Sequence, residues 1–146
     1  MTGAMAALSK ATWMLEFRCG AMDHSSAPEH RNFLVVDDDP IIRADLSAII
    51  RENGFEAWEA ANTSEALSML AAAPDAFAVL ITDINMPGTR SGAVLANHAK
   101  VMWPHIDIIV ITGGREPMSG ELPVEAQFLT KPISATAFSV MIQKTP

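Results

Sequence analysis

From residue 33 onward, the chain alternates short apolar runs with segments in which apolar side chains recur every three or four positions. The apolar runs are four or five residues long and rich in Val, Ile, Leu and Phe, which is typical of strands buried on both faces of a parallel sheet. The alternation predicts an α/β fold of five βα units. The predicted strands cover residues 33–36, 55–59, 78–82, 107–111 and 126–129.

Helix start and stop signals lie between the predicted strands. Asp39 is expected to cap a first helix that has Pro40 in its first turn and ends at the glycine of Asn53-Gly54. Asn62 followed by Glu65 resembles a capping box and opens a second helix, which runs to about residue 72. Both helices follow directly from local capping chemistry.

Proline and glycine divide the second half of the chain. A third helix is expected over residues 92–103, where Pro104 ends it, and Ser134 is expected to cap a last helix that runs to about residue 143. The connection over residues 113–125 contains several glycines and prolines. We therefore expect it to be mostly loop, with a fourth helix that is short or missing.

Length and composition limit the class of protein. The chain has 146 residues, 49% of them apolar and 18% charged, which suits one globular domain. A net charge of −7 and the lack of any long apolar run argue against nucleic-acid binding and membrane insertion. Cys19 is the only cysteine, so we expect a reducing, cytoplasmic location. Residues 1–32 are dominated by Gly, Ala, Ser and Met, with a polar stretch at 23–32 that lacks periodicity, and they are interpreted as a poorly ordered extension before a domain at 33–146. The alternative is a turn of amphipathic helix over the apolar residues at 13–17.

Polar side chains follow four of the predicted strands at the point where each strand ends. Asp37 and Asp38 follow the first strand, Asp83 the third, Thr112 the fourth and Lys131 the fifth. In an open parallel sheet, ligands bind beyond the carboxyl ends of the strands. We therefore expect these side chains to share one rim.

Three converging carboxylates need a counter-charge. Two carboxylates 4 Å apart repel by about 4 kcal/mol at an effective dielectric constant near 20, so a cation or a raised pKa is required. Carboxylate oxygens suit Mg²⁺, which also keeps positions open for phosphate oxygens. Lys131 would add a second positive charge at the same rim.

Four sequence motifs follow one another along the chain, namely FLVVDD at 33–38, LITDINMPG at 80–88, IVITG at 109–113 and FLTKP at 128–132. In this order they resemble the receiver domain of two-component response regulators, and the pattern is similar to a single-domain chemotaxis regulator. The resemblance covers about residues 33–143. It implies a doubly wound, flavodoxin-like sheet of order 2-1-3-4-5 with helices on both faces.

The resemblance also implies a chemistry for the rim. Asp83 would accept a phosphoryl group from a sensor histidine kinase or a histidine phosphotransfer protein, as a carboxylate nucleophile. Asp38, Asp83 and the backbone carbonyl of Asn85 would hold Mg²⁺, with Asp37 acting through a water molecule. Such a protein is a phosphoacceptor that catalyses its own phosphorylation and dephosphorylation rather than a conventional enzyme.

A conformational switch is implied by the same resemblance. Thr112 and Lys131 would contact the phosphoryl oxygens, and Phe128 would fill the space that Thr112 leaves. The switched form would signal to a downstream protein that the sequence does not identify. Because the chain ends three residues after the last predicted helix, we expect a stand-alone receiver, and a homodimer is left open.

Two alternatives stay open. One is a receiver-like binding module that works without phosphorylation. The other is a Mg²⁺-dependent phosphohydrolase of the haloacid dehalogenase type, because Asp37 and Asp39 satisfy its DxD pattern. Such hydrolases need a further acidic pair after a later strand, and no such pair follows Asp107.

Overall fold

A parallel sheet of five strands forms the centre of the protein, in the order β2-β1-β3-β4-β5. The computed structural model describes residues 31–84, 92–113, 120–123 and 125–144. The strands are β1 (Asn32–Val36), β2 (Glu56–Ala60), β3 (Val79–Asp83), β4 (Asp107–Thr112) and β5 (Gln127–Thr130). The helices are α1 (Pro40–Glu52), α2 (Thr63–Ala72), α3 (Gly92–Met102) and α4 (Ala135–Lys144). This confirms the predicted fold class and strand order, and the predicted element ends lie within two residues of the observed ones.

The predicted capping residues start the helices. The Asp39 side chain accepts hydrogen bonds from the N–H groups of Ile41 and Ile42 at the start of α1. Gly54, just after α1, has φ +90°, a left-handed conformation that glycine adopts without strain. Ser134 Oγ accepts from the N–H of Ala137 in the first turn of α4.

The capping box of α2 differs in one bond from the expected pattern. Asn62 Oδ1 accepts from the N–H of Glu65 at 2.8 Å, as predicted. The Glu65 carboxylate returns to the N–H of Ala61, also at 2.8 Å, one residue before the cap itself. The start of α2 is therefore fixed by two hydrogen bonds between side chain and backbone.

Two apolar layers cover the sheet. Helices α2 and α3 pack on one face, around buried residues such as Leu70 and Leu95, and α1 and α4 pack on the other, around Ile50 and Phe138. Each fully buried side chain of this size stabilises the fold by about 1.5–3 kcal/mol. The two layers make β1 and β3 the rigid centre of the molecule, because both strands are buried along their whole length.

The connection between β4 and β5 contains no helix among its described residues, which are 113, 120–123, 125 and 126. This agrees with the predicted short or missing fourth helix. The Asn97 side chain on α3 donates to the Glu121 carbonyl oxygen at 2.8 Å, and Leu122 packs against the α2–α3 layer. Residues 121 and 122 of this connection therefore contact the α2–α3 layer without forming a helix.

None of the helices in the described part of the chain is long and apolar enough to cross a membrane. The predicted extension at residues 1–32 lies almost entirely outside the described residues, so the domain boundary at 33 stays a prediction.

Ser47 gives a test of the packing. Its side chain is fully buried on α1, and its hydroxyl has no hydrogen-bond partner among the described residues. We expect Ser47→Ala to leave the free energy of unfolding unchanged or to raise it by about 1 kcal/mol, because an unsatisfied buried hydroxyl is removed and alanine favours the helix. Urea denaturation measures the difference.

The matched control is Ser139→Ala on α4, whose hydroxyl accepts a hydrogen bond from Asn53 at 3.2 Å. That variant should lose about 0.5–1 kcal/mol. A loss for Ser47→Ala as large as that of the control would contradict the assignment of an unsatisfied hydroxyl.

Candidate functional site

Three carboxylates meet at the carboxyl edge of the sheet. β1 and β3 are parallel neighbours with Val36 opposite Thr82, so Asp37 and Asp83, the next residue along each strand, emerge side by side. Asp38 follows Asp37 at the surface. One carboxylate oxygen from each of the three acids lies within 4.8 Å of the others. The structure therefore brings together the acids that the sequence placed at one rim.

Asp37 is the most constrained of the three acids. Its side chain is 1% exposed, Oδ1 accepts from the N–H of Asp39 at 2.8 Å, and Oδ2 is buried without a hydrogen-bond partner among the described residues. Burial raises the pKa of Asp37, and the charge of Asp83 raises it further against the lowering effect of the Asp39 N–H. Asp37 is thus a carboxylate held without the solvation that it needs.

Lys131 neutralises part of this charge. Its Nζ donates to Asp83 Oδ2 at 2.8 Å, and Asp83 is 3% exposed. Burial alone would lower the pKa of Lys131, but the hydrogen bond to Asp83 and the attraction of the three acids outweigh it and raise the pKa above its usual value. The ammonium group therefore stays charged at neutral pH.

The end of β5 places Lys131 at the rim. Its backbone N–H donates to the Thr112 carbonyl oxygen at 2.8 Å, which extends the pairing of β4 and β5 by one residue. The peptide bond from Lys131 to Pro132 is cis. The strand pairing alone thus carries this lysine to the acids, 48 positions away from Asp83 in the chain.

Thr112 and Phe128 lie near the pocket in different settings. Thr112 ends β4, is 1% exposed, and its hydroxyl has no hydrogen-bond partner among the residues that the structure describes. Phe128 pairs in register with Val110, whose side chain belongs to the α2–α3 layer, and it is 39% exposed on that side. Asn85, whose backbone carbonyl was expected to bind the metal, lies outside the described residues.

Gly92 lies directly against the backbone of Asp83, a contact that the sequence did not indicate. Its N–H donates to the Ile84 carbonyl oxygen at 3.2 Å, and a Cβ added at Gly92 would lie 1.8 Å from the Asp83 carbonyl oxygen. A glycine is required here by this close approach and not by its φ angle. Its position at the predicted start of a helix was the one available signal.

Arg43 is a second residue that the sequence did not indicate. Its Nη1 donates to the Asp37 carbonyl oxygen at 2.7 Å, and its Nε donates to Glu59 Oε1 at 3.1 Å. The sequence offered one signal for this contact. Side chains of a helix point toward its N-terminus, so an arginine in the first turns of α1 can reach the preceding loop.

The pocket has the donor chemistry of a magnesium site. All of its acidic ligand atoms are carboxylate oxygens, and three carboxylates with one ammonium leave a formal charge of −2. The buried Oδ2 of Asp37 has no hydrogen-bond partner among the described residues, so it is available to a ligand. These residues fit a small dication. An acidic triad of this kind is typical of the Mg²⁺ site of receiver domains.

The fold and the pocket together define a flavodoxin-like α/β domain with an acidic site at the point where the strand order reverses. The family model described as the response regulator receiver domain matches residues 33–143. The chain belongs to this family, whose members partner with histidine kinases in two-component signalling.

Individual relatives agree with this assignment. The chain is 31% identical over 107 residues to the transcriptional regulatory protein AruR of Pseudomonas aeruginosa, covering 69% of this chain and 43% of that protein. It is 28% identical over 144 residues to the transcriptional activator protein PfeR of the same species, covering 87% of this chain and 47% of that protein. The chain thus spans less than half the length of these curated relatives.

Solved structures share the fold. A response regulator receiver domain protein from Clostridium thermocellum superposes with a TM-score of 0.69 at 27% identity, covering 79% of this chain and 93% of that one. The chemotaxis protein CheY4 of Vibrio cholerae has a TM-score of 0.70 at 24% identity, covering 80% of this chain and 99% of that one. At 24% identity, the similarity to CheY4 shows only that the two chains share a fold.

The raised pKa of Asp37 predicts a pH dependence. The folded state holds the Asp37 proton to a higher pH than the unfolded chain, whose carboxyl titrates near 3.8, so this group destabilises the metal-free protein as the pH rises above about 4. We expect Asp37→Asn to remove that contribution and to raise the free energy of unfolding at pH 7 by about 1 kcal/mol or more. Urea denaturation in the presence of a chelator, at a series of pH values, measures it.

Asp45→Asn is the control, because Asp45 is an exposed carboxylate on helix α1, which begins three residues after Asp37. Its stability should follow the pH dependence of the wild type. If Asp37→Asn did the same, or lowered the stability at pH 7, the pocket would not hold an unfavourable carboxylate.

Proposed function

We propose that this chain is a phosphoacceptor of two-component signalling, in which Asp83 takes a phosphoryl group from a histidine kinase or a histidine phosphotransfer protein. The observation that carries the proposal is the convergence of buried Asp83 with two further carboxylates and with Lys131 Nζ at 2.8 Å. Membership of the receiver family supports the same reading.

The transfer is a displacement at phosphorus. A carboxylate oxygen of Asp83 forms the new P–O bond while the P–N bond of the phosphohistidine breaks, and the imidazole nitrogen keeps the bonding electron pair. Negative charge spreads over the three remaining phosphoryl oxygens. The Lys131 ammonium, already bound to Asp83, lies where it can stabilise that charge.

The residues have distinct roles in this proposal. Asp38 and Asp83 would hold Mg²⁺ directly and Asp37 through water, and the metal, when bound, supplies positive charge for the phosphoryl oxygens. Asp37 Oδ1 already accepts the Asp39 N–H, so one of its carboxylate oxygens is bound within its own loop. The carbonyl of Asn85 stays a predicted ligand.

Thr112 and Phe128 would convert phosphorylation into a signal. The Thr112 hydroxyl, buried and without a partner among the described residues, can donate to a phosphoryl oxygen. Moving a domain from 1% to 99% active needs about 5.5 kcal/mol, and a hydrogen bond to a charged group contributes about 1.5–3 kcal/mol. Thr112 alone is therefore insufficient, and Lys131 has to contribute as well. A shift of Phe128 toward the core would accompany the change.

A groove beside Lys131 suits the phosphoryl donor. It has a volume of about 600 Å³ and lies between α1 and the segment after β5, with Ile42, Ile49 and Ile133 among its apolar walls and Asp45 in its lining. A phosphoryl donor seated there would lie close to Asp83, because Lys131 both lines the groove and binds Asp83. The cytoplasmic location, the downstream protein and a homodimer stay predictions.

The phosphoacceptor role can be tested with a small phosphodonor. Incubation with acetyl phosphate and Mg²⁺ should add one phosphoryl group to the wild-type chain, detected by intact mass, and none to Asp83→Asn, because that variant lacks the nucleophile. Asp39→Asn is the matched control. It changes an acid of the same loop, keeps a good helix cap and should still be labelled.

The two alternatives predict different labelling. A phosphohydrolase of the haloacid dehalogenase type would be labelled in Asp83→Asn and not in Asp37→Asn. A phosphorylation-independent binding module would not be labelled at all. Either result would overturn the proposed function.

A further inference from the structure

Asp37 is held through its main chain as well as through its carboxylate. It lies one residue beyond the end of β1, where the regular pairing of that strand with β3 stops. Its N–H donates to the Ala60 carbonyl oxygen at 3.3 Å, and its carbonyl accepts from Arg43 Nη1 at 2.7 Å. Both polar groups of this peptide are therefore tied to neighbouring elements, and the arginine supplies the shorter bond.

The Arg43 guanidinium connects three elements. The residue belongs to the first turns of α1, its Nη1 reaches the loop after β1, and its Nε binds Glu59 near the end of β2 at 3.1 Å. Two donors of one planar group thus bind two acceptors that lie in different elements. The side chains of Arg43 and Glu59 are 19% and 33% exposed, so the pair is partly shielded from water.

We propose that Arg43 is a positioning residue for the cation site, and that Glu59 holds Arg43 in place. By fixing the Asp37 carbonyl, Arg43 fixes the direction of the Asp37 side chain toward Asp38 and Asp83, against the repulsion among the three acids. The inference rests on the proposed function in one respect, namely that the acidic pocket binds Mg²⁺.

The sign of the effect on Mg²⁺ binding separates positioning from simple charge. If Arg43 acted only as a nearby positive charge, its removal would strengthen the binding of a cation. If it positions Asp37, its removal weakens binding, since loss of a residue that orients a metal ligand typically costs 10- to 100-fold in affinity. The two roles therefore predict opposite changes.

The chain offers a matched control on the same helix. Arg51 Nη2 donates to the Ala57 carbonyl oxygen at 2.9 Å, so it also joins α1 to β2 by a bond from a guanidinium to a backbone carbonyl. Ala57 pairs with Phe33 near the start of β1, away from the carboxyl edge of the sheet. Arg51→Gln therefore removes a similar structural bond without touching the pocket.

The experiment measures the dissociation constant of Mg²⁺ alone by isothermal titration calorimetry on the full chain. We expect Arg43→Gln to raise it about tenfold or more, Glu59→Gln to raise it by a smaller factor, and Arg51→Gln to leave it unchanged. Arg43→Gln combined with Glu59→Gln should be no worse than Arg43→Gln alone, because both act through one contact. An unchanged or tighter dissociation constant in Arg43→Gln would overturn the inference.

A second readout does not need the metal. The Asp39 N–H donates to Asp37 Oδ1, so its hydrogen exchange reports the orientation of the Asp37 side chain. Exchange at Asp39 should become faster in Arg43→Gln and stay as in the wild type in Arg51→Gln. Should Arg43→Gln fail to fold, Arg43→Lys and Glu59→Gln give the same comparison with milder changes.

The two proposals fail in different ways. If the wild type does not bind Mg²⁺, the metal-dependent function is wrong, whereas exchange at Asp39 still tests the positioning role. If the wild type binds Mg²⁺ and all variants bind it equally, Arg43 is merely structural and the proposed function stands.

Discussion

The repulsion among three carboxylates at one edge of the sheet is the constraint on which the site depends. Two of the acids are almost fully buried, and their oxygens lie within 4.8 Å of each other and of the third. Left to themselves such groups would separate or take up protons. They stay together because Asp37 and Asp83 extend from β1 and β3, the two strands that are buried on both faces. The apolar core thus holds the acids close together in spite of their repulsion, and a bound cation would relieve that repulsion.

The surrounding residues serve this arrangement in three ways. Lys131 cancels part of the charge through its bond to Asp83. Gly92 lets α3 begin directly against the backbone of Asp83, in a space that a Cβ would fill. Arg43 and Glu59 brace the carbonyl of Asp37. Each contact restricts one acid, so the pocket is shaped before any ligand arrives, which is the condition for strong electrostatic stabilisation.

The sequence was sufficient to predict the elements and the acids of the site. Buried strands are recognisable as short apolar runs, and helix caps depend on a few neighbouring residues. In a parallel sheet, residues at the strand ends meet at a common edge. Asp37, Asp83 and Lys131 could therefore be identified without coordinates. Arg43 and Gly92 could not be identified in the same way. Their roles depend on what their atoms meet in space, namely the carbonyls of Asp37 and Asp83, and no spacing in the chain encodes those contacts.

A divalent ion is expected to bind among the three acids, and its position can be observed directly. Crystals soaked in Mn²⁺, which can replace Mg²⁺ at oxygen sites, would be measured by anomalous diffraction. One strong peak should lie about 2 Å from carboxylate oxygens of Asp38 and Asp83, with Asp37 close by. If the pocket stayed empty while Mn²⁺ bound elsewhere, or if the acids pointed away from one another, the three carboxylates would not form a cation site.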